Sequence, residues 1–122
     1  MQILFQVLIA LAGPCPKVEI TTEASVQDDA LDEISGIASY DGKLYVHNDS
    51  GDKANIYVMD FSGQLQDTLS LNGVRARDWE DMSISLWNNQ TTIFVGDIGD
   101  NLEHHKAIFV HAVRINAESP VE

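Results

Sequence analysis

From Val18 onward, short runs of alternating apolar and polar residues are separated by turn residues, and no stretch of ten carries a helical period. Val18 to Thr22 predicts a short strand and Ile34 to Ser39 a second. Lys43 to Asn48 predicts a third, with Leu44 and Val46 facing one way and Tyr45 and His47 the other. Asn55 to Asp60 predicts a strand with Ile56 and Val58 on one face, and Gln64 to Leu71 predicts another. The pattern returns at Met82 to Leu86, Thr91 to Val95 and Ala107 to Ile115, with a turn at Asn88-Asn89. Asp41-Gly42, Asp49-Ser50-Gly51-Asp52 and Ser62-Gly63 supply turn chemistry between the earlier runs. Ala24 to Leu31, short and polar, is expected to be a loop.

Two segments repeat. Glu33-Ile34-Ser35-Gly36-Ile37 matches Glu80-Asp81-Met82-Ser83-Ile84, 47 positions later, and Asp49-Ser50-Gly51-Asp52 matches Asp97-Ile98-Gly99-Asp100, 48 positions later. A recurrence near that length, with several short strands per copy, is the spacing of β-propeller blades, which stack because one small sheet cannot bury both faces alone. The expected fold is therefore all-β: about two four-stranded antiparallel blades, blade one over 33–72 and blade two over 78–122. The second copy has three strands before Glu122, so the chain is expected to be the N-terminal part of a propeller. Val18 to Thr22 would be the strand that closes the ring. Open blade faces and strand edges predict an aggregation-prone piece in isolation.

Charge and the N terminus add a location. Acids outnumber bases 19 to 7, a net charge of −12, and none of the charged side chains lies in residues 1–16. Such a surface repels phosphate backbones and anionic membranes, which argues against a nucleic-acid partner and suits solubility outside the cytoplasm or cation binding. Ile3 to Gly13 is apolar except for Gln6, the length of a signal-peptide core and too short to span a bilayer. Residues 1–16 thus predict export to the periplasm, cell envelope or medium, with 17–122 as the propeller part. The single cysteine, Cys15, excludes an internal disulfide. It follows Leu11-Ala12-Gly13 as a lipidated cysteine would, but Pro14 interrupts the lipid-anchor pattern.

Glu33-Ile34-Ser35-Gly36-Ile37, Leu44-Tyr45-Val46-His47-Asn48-Asp49-Ser50-Gly51, Asp78-Trp79-Glu80-Asp81-Met82 and Gly96-Asp97-Ile98-Gly99-Asp100-Asn101 resemble, in that order, a largely uncharacterised family of secreted bacterial β-propellers. That family is similar in organisation to the six-bladed gluconolactonase-like, NHL-repeat and TolB-like propellers. The resemblance runs from about Leu31 to Ile115. It implies six blades in a full-length member and, by analogy with the gluconolactonase-like group, a divalent cation in the central channel held by a glutamate near the chain start, here Glu33.

The candidate chemistry is acidic. Glu33, Asn48, Asp49, Glu80, Asp81, Asp97 and Asp100 stand at strand starts and in Gly-containing turns, where their oxygens suit Ca2+ or another divalent cation. The same Asp and Asn residues also make good turns without any ligand. Adjacent Glu80 and Asp81 repel unless a cation or a nearby arginine, Arg75 or Arg77, offsets them. Trp79, Tyr45, Tyr57, Phe94 and Phe109 are expected to pack between blades. His104-His105 lacks a third ligand at zinc-like spacing and is expected in an exposed loop, whereas His47 could reach the channel. No nucleophile elbow, P-loop or dinucleotide fingerprint is present. The leading expectation is an exported cell-envelope propeller that acts as a binding or interaction module. The alternative is a calcium-dependent hydrolase of the lactonase, esterase or phytase type, in which a cation would polarise the substrate and activate water.

Overall fold

The computed structural model describes residues 17–22, 24–49, 51–100 and 103–115. Two tight turns set its architecture. Asp41 (φ 48°) and Gly42 (φ 71°) join β1 (Ile34–Tyr40) to β2 (Lys43–Asn48). Asn88 (φ 50°) and Asn89 (φ 60°) join β5 (Trp79–Trp87) to β6 (Gln90–Asp97). Positive φ at both central residues gives a turn whose twist matches that of antiparallel strands. With β3 (Asn55–Met59), β4 (Leu65–Ser70) and β7 (Phe109–Arg114), the chain forms two antiparallel meanders, β1-β2-β3-β4 and β5-β6-β7.

The alternation of side chains gives each face of the first sheet its own cover. Tyr45, Ile56 and Val58 point towards the second sheet and form one core with Met82, Ile93, Val95 and Trp79. Leu44, Val46, Tyr57 and Met59 point the opposite way, where Val26 and Leu31 cover them. Leu31 ends a single 3-10 turn, Asp29–Leu31, which Asp28 caps by accepting the Ala30 N–H. Burying each large aliphatic side chain contributes about 1.5–3 kcal/mol. The two cores therefore hold the Val26–Leu31 segment and the second sheet on opposite sides of the first.

The two sheets are copies at the level of hydrogen-bond register. β1 bulges between Ile34 and Gly36, and β5 bulges between Trp79 and Asp81. Matching the bulges pairs Ile34 with Trp79 and Ser35 with Glu80, while on the partner strands Asn48 corresponds to Asp97. By this register Glu33 corresponds to Asp78, and not to Glu80 as the sequence match implied. The reason is that the β5–β6 hairpin is two residue pairs longer than β1–β2, which splits the true offset around the apparent 47.

Most predicted strands stand where expected, with β5 and β6 longer than their apolar cores. Val18 to Thr22 is a correction: it forms no strand and is exposed, with Val18 83% and Ile20 88% accessible. The second sheet has three strands among the described residues, as its sequence copy predicted, and the signal-like and Cys15 readings lie outside them. No helix among the described residues is long and apolar enough to cross a membrane. The observed class is all-β in two stacked sheets.

Candidate metal centre

Where β2 ends and β5 begins, the two sheets bring three carboxylates together. Asp49 follows β2, Asp78 precedes β5, and Glu80 is the second residue of β5. One oxygen from each lies within 4.8 Å of the others. Calcium holds oxygens at about 2.3–2.6 Å, so two ligands on one ion stand up to about 5 Å apart, and this spacing fits. The donor set is all oxygen, with no imidazole or thiolate, which favours a hard cation over zinc or copper.

Asp78 is the distinctive member. It is only 8% exposed, and its Oδ1 is buried without a hydrogen-bond partner. A buried carboxylate without donors is costly unless a cation or a proton neutralises it. Gly99 closes the other side. Its N–H donates to the Asp78 carbonyl at 3.1 Å, and its α-carbon sits so close that a Cβ would overlap Asp78 Cγ and Glu80 Oε1. Only glycine fits there with the carboxylates in place.

Asp97 positions this centre without belonging to it. Its side chain is 1% exposed. Oδ2 accepts from Arg77 Nε at 3.2 Å, and Oδ1 accepts the Asp78 N–H at 3.2 Å. Burial pushes its carboxyl up, but the Arg77 and Asp78 hydrogen bonds, the Arg77 charge and a weaker contact with His111 outweigh burial and hold it below the usual carboxylate range. Arg77 also donates to the Ala107 carbonyl at 3.2 Å and lies over the Phe109 ring, 4.5 Å from its centroid. Arg77, one of the two arginines expected to offset Glu80 and Asp81, is thus committed to Asp97.

The other predicted residues separate by role. Glu33 is exposed, and what it supplies is its carbonyl, which accepts the Asp49 N–H at 2.9 Å. Asn48 is buried and donates through Nδ2 to the Ala30 carbonyl at 2.8 Å and to Asp52 at 3.1 Å, pinning the N-terminal segment to β2. Asp81 is exposed and accepts the Met82 N–H. Asp100 accepts the His104 and His105 N–H groups at 2.7 and 3.0 Å and so shapes an exposed turn. Some burial raises the Asp100 carboxyl, but those two donors and the neighbouring histidines bring it below its ordinary value. Both histidines are exposed, as their loop position predicted.

His47 is fully buried, with its ring edge-on to Trp79 at 5.5 Å between centroids. Its Nδ1 lies 2.9 Å from the Asn48 carbonyl, which only accepts, so Nδ1 carries the proton. Nε2 has no partner and faces Gly36, leaving no room for a Cβ. Ser35, at the β1 bulge, donates to the Trp79 carbonyl at 2.9 Å and ties the first strands of the two sheets together.

Of the seven residues singled out in the sequence, Asp49 and Glu80 come together, and Asp78 is the addition. Asp78 stands two positions before Glu80, but the bulge between Trp79 and Asp81 breaks the simple alternation there, so spacing alone did not mark it. Compared with known proteins, the chain matches no family model, no curated protein and no solved structure.

Proposed function

We propose that this chain is a calcium-binding β-repeat unit of the propeller class, exported from the cell and acting as a binding module. The convergence of Asp49, Asp78 and Glu80 around Gly99, with a buried and unpartnered Asp78 oxygen, carries the cation reading. The stacked meanders with bulges at equivalent positions support the propeller class. Export rests on the apolar, uncharged N-terminal stretch.

Isothermal calorimetry of the purified chain with CaCl2 tests the cation reading. Saturable binding in the micromolar to millimolar range is expected, with loss of the heat signal in Asp78→Asn. Absence of binding to the unmodified protein would refute it. A second reading, calcium-dependent hydrolysis, is favoured by one observation: with one oxygen from each, the three carboxylates fill three of the six to eight positions that calcium takes, which leaves positions for water and a substrate oxygen. Hydrolysis of lactone, ester or phosphomonoester substrates that requires Ca2+ and disappears in Asp78→Asn would favour it over a binding module.

A further inference from the structure

The three carboxylates do not come from one unit. Asp49 belongs to the first sheet, at the end of β2, whereas Asp78 and Glu80 belong to the second, at the entry to β5. Nor are they equivalent positions of the repeat. The counterparts by register of Asp78 and Glu80 are Glu33 and Ser35, and the residue matching Asp49 is Ile98, an apolar side chain. Neither sheet can build this centre alone, so stacking creates it.

Outside this centre, the described polar ties between the sheets are neutral. Ser35 donates to the Trp79 carbonyl at 2.9 Å, and near the hairpin tips Thr91 Oγ1 donates to the Tyr40 hydroxyl at 3.0 Å. Between those ends lies the apolar core of Tyr45, Ile56, Val58, Met82, Ile93 and Val95. At the carboxylate centre, by contrast, an acid of one sheet meets two of the other. Like charges so close in a partly desolvated place push the sheets apart, and a divalent cation reverses the sign of that contact. The buried, unpartnered Oδ1 of Asp78 is the independent sign that a positive ligand belongs there.

We propose that a calcium-class cation at Asp49, Asp78 and Glu80 acts as a clamp between the two sheets, so that the stacking of successive units is governed by cation binding. This rests on the cation reading above and adds that the ion must engage both sheets at once.

Trp79 is a built-in reporter, because it is 1% exposed and lies at the junction. Trp87→Phe makes it the sole tryptophan without touching the centre. Titrating CaCl2 into that variant at constant ionic strength should change Trp79 emission saturably and raise the thermal midpoint. Asp49→Asn should weaken calcium affinity by at least about tenfold and remove the gain in midpoint, because the first sheet then loses its ligand. Unchanged affinity in Asp49→Asn would overturn the clamp and leave a cation site on Asp78 and Glu80 standing. No binding to the unmodified protein would remove both. Should Asp49→Asn fail to fold by circular dichroism, hydrogen exchange of the unmodified chain decides the matter. Slower exchange in both β1 and β5 on adding calcium is expected, and slowing in β5 alone would overturn the proposal.

Discussion

At the scale of single residues, one buried ion pair organises the candidate site. Asp97 accepts from Arg77 and from the Asp78 backbone, so it fixes the short segment that delivers Asp78 and Glu80. Arg77→Ala would leave Asp97 almost fully buried without its cation, and a loss of about 3–5 kcal/mol is expected in urea unfolding. Arg77→Lys should recover only part of that. A lysine cannot reach Asp97 and the Ala107 carbonyl together with a planar fork, nor stack as well on Phe109. Little of this was legible from residue types. Asp97 stood in a Gly-rich acidic turn and looked like a ligand, and Arg75 or Arg77 was expected to offset Glu80 and Asp81. Only the packing that buries Asp97 separates this structural carboxylate from those of the three-acid cluster.

At the scale of elements, the strands were legible and their register was not. Period-two alternation placed Leu44 and Val46 on one face and Tyr45 on the other, and the two cores follow that division. Asp41-Gly42 and Asn88-Asn89 marked both tight hairpins, because few residues accept two successive positive φ values. The bulges carry no such signature. A bulge inserts a residue and shifts everything beyond it, so aligning Glu33 with Glu80 hid the correspondence of Glu33 with Asp78. The Val18 to Thr22 run shows the converse: strand propensity in an exposed segment does not by itself make a strand. The β1 bulge also depends on one glycine. Gly36→Ala would drive a methyl into the His47 ring, which is fully buried. A loss of about 1–3 kcal/mol is expected in thermal or chemical unfolding. His47→Ala in the same background should give back part of it by making room for the methyl, a double-mutant test of the contact.

At the scale of the whole molecule, a net charge of −12 favours expansion, and the apolar core between the sheets opposes it. The same carboxylates set the acid limit. Asp60, Asp97 and Asp100 all lie below their ordinary values when folded: Ser62 and Gln64 donors lower Asp60, and donors outweigh burial at Asp97 and Asp100. A group depressed in the folded state contributes stability that is present above its unfolded value and lost as pH falls through its folded one. The unfolding midpoint should therefore hold near neutral pH and fall once pH drops below about 4. Asp97→Asn should flatten that acid limb, and a limb of unchanged slope would show that the buried pair does not set it. The sequence by itself determined the all-β class, the short strands, both tight turns and the acidic character, because alternation and turn chemistry are local properties of the chain. The tertiary structure alone decided which acids meet. Asp49 and Asp78 lie on different sheets, and neither spacing nor composition reports how two sheets stack. That placement follows from the side-chain packing of Tyr45, Ile56 and Val58 against Met82, Ile93 and Val95, and from the bulges that turn Ser35 and Glu80 to their places.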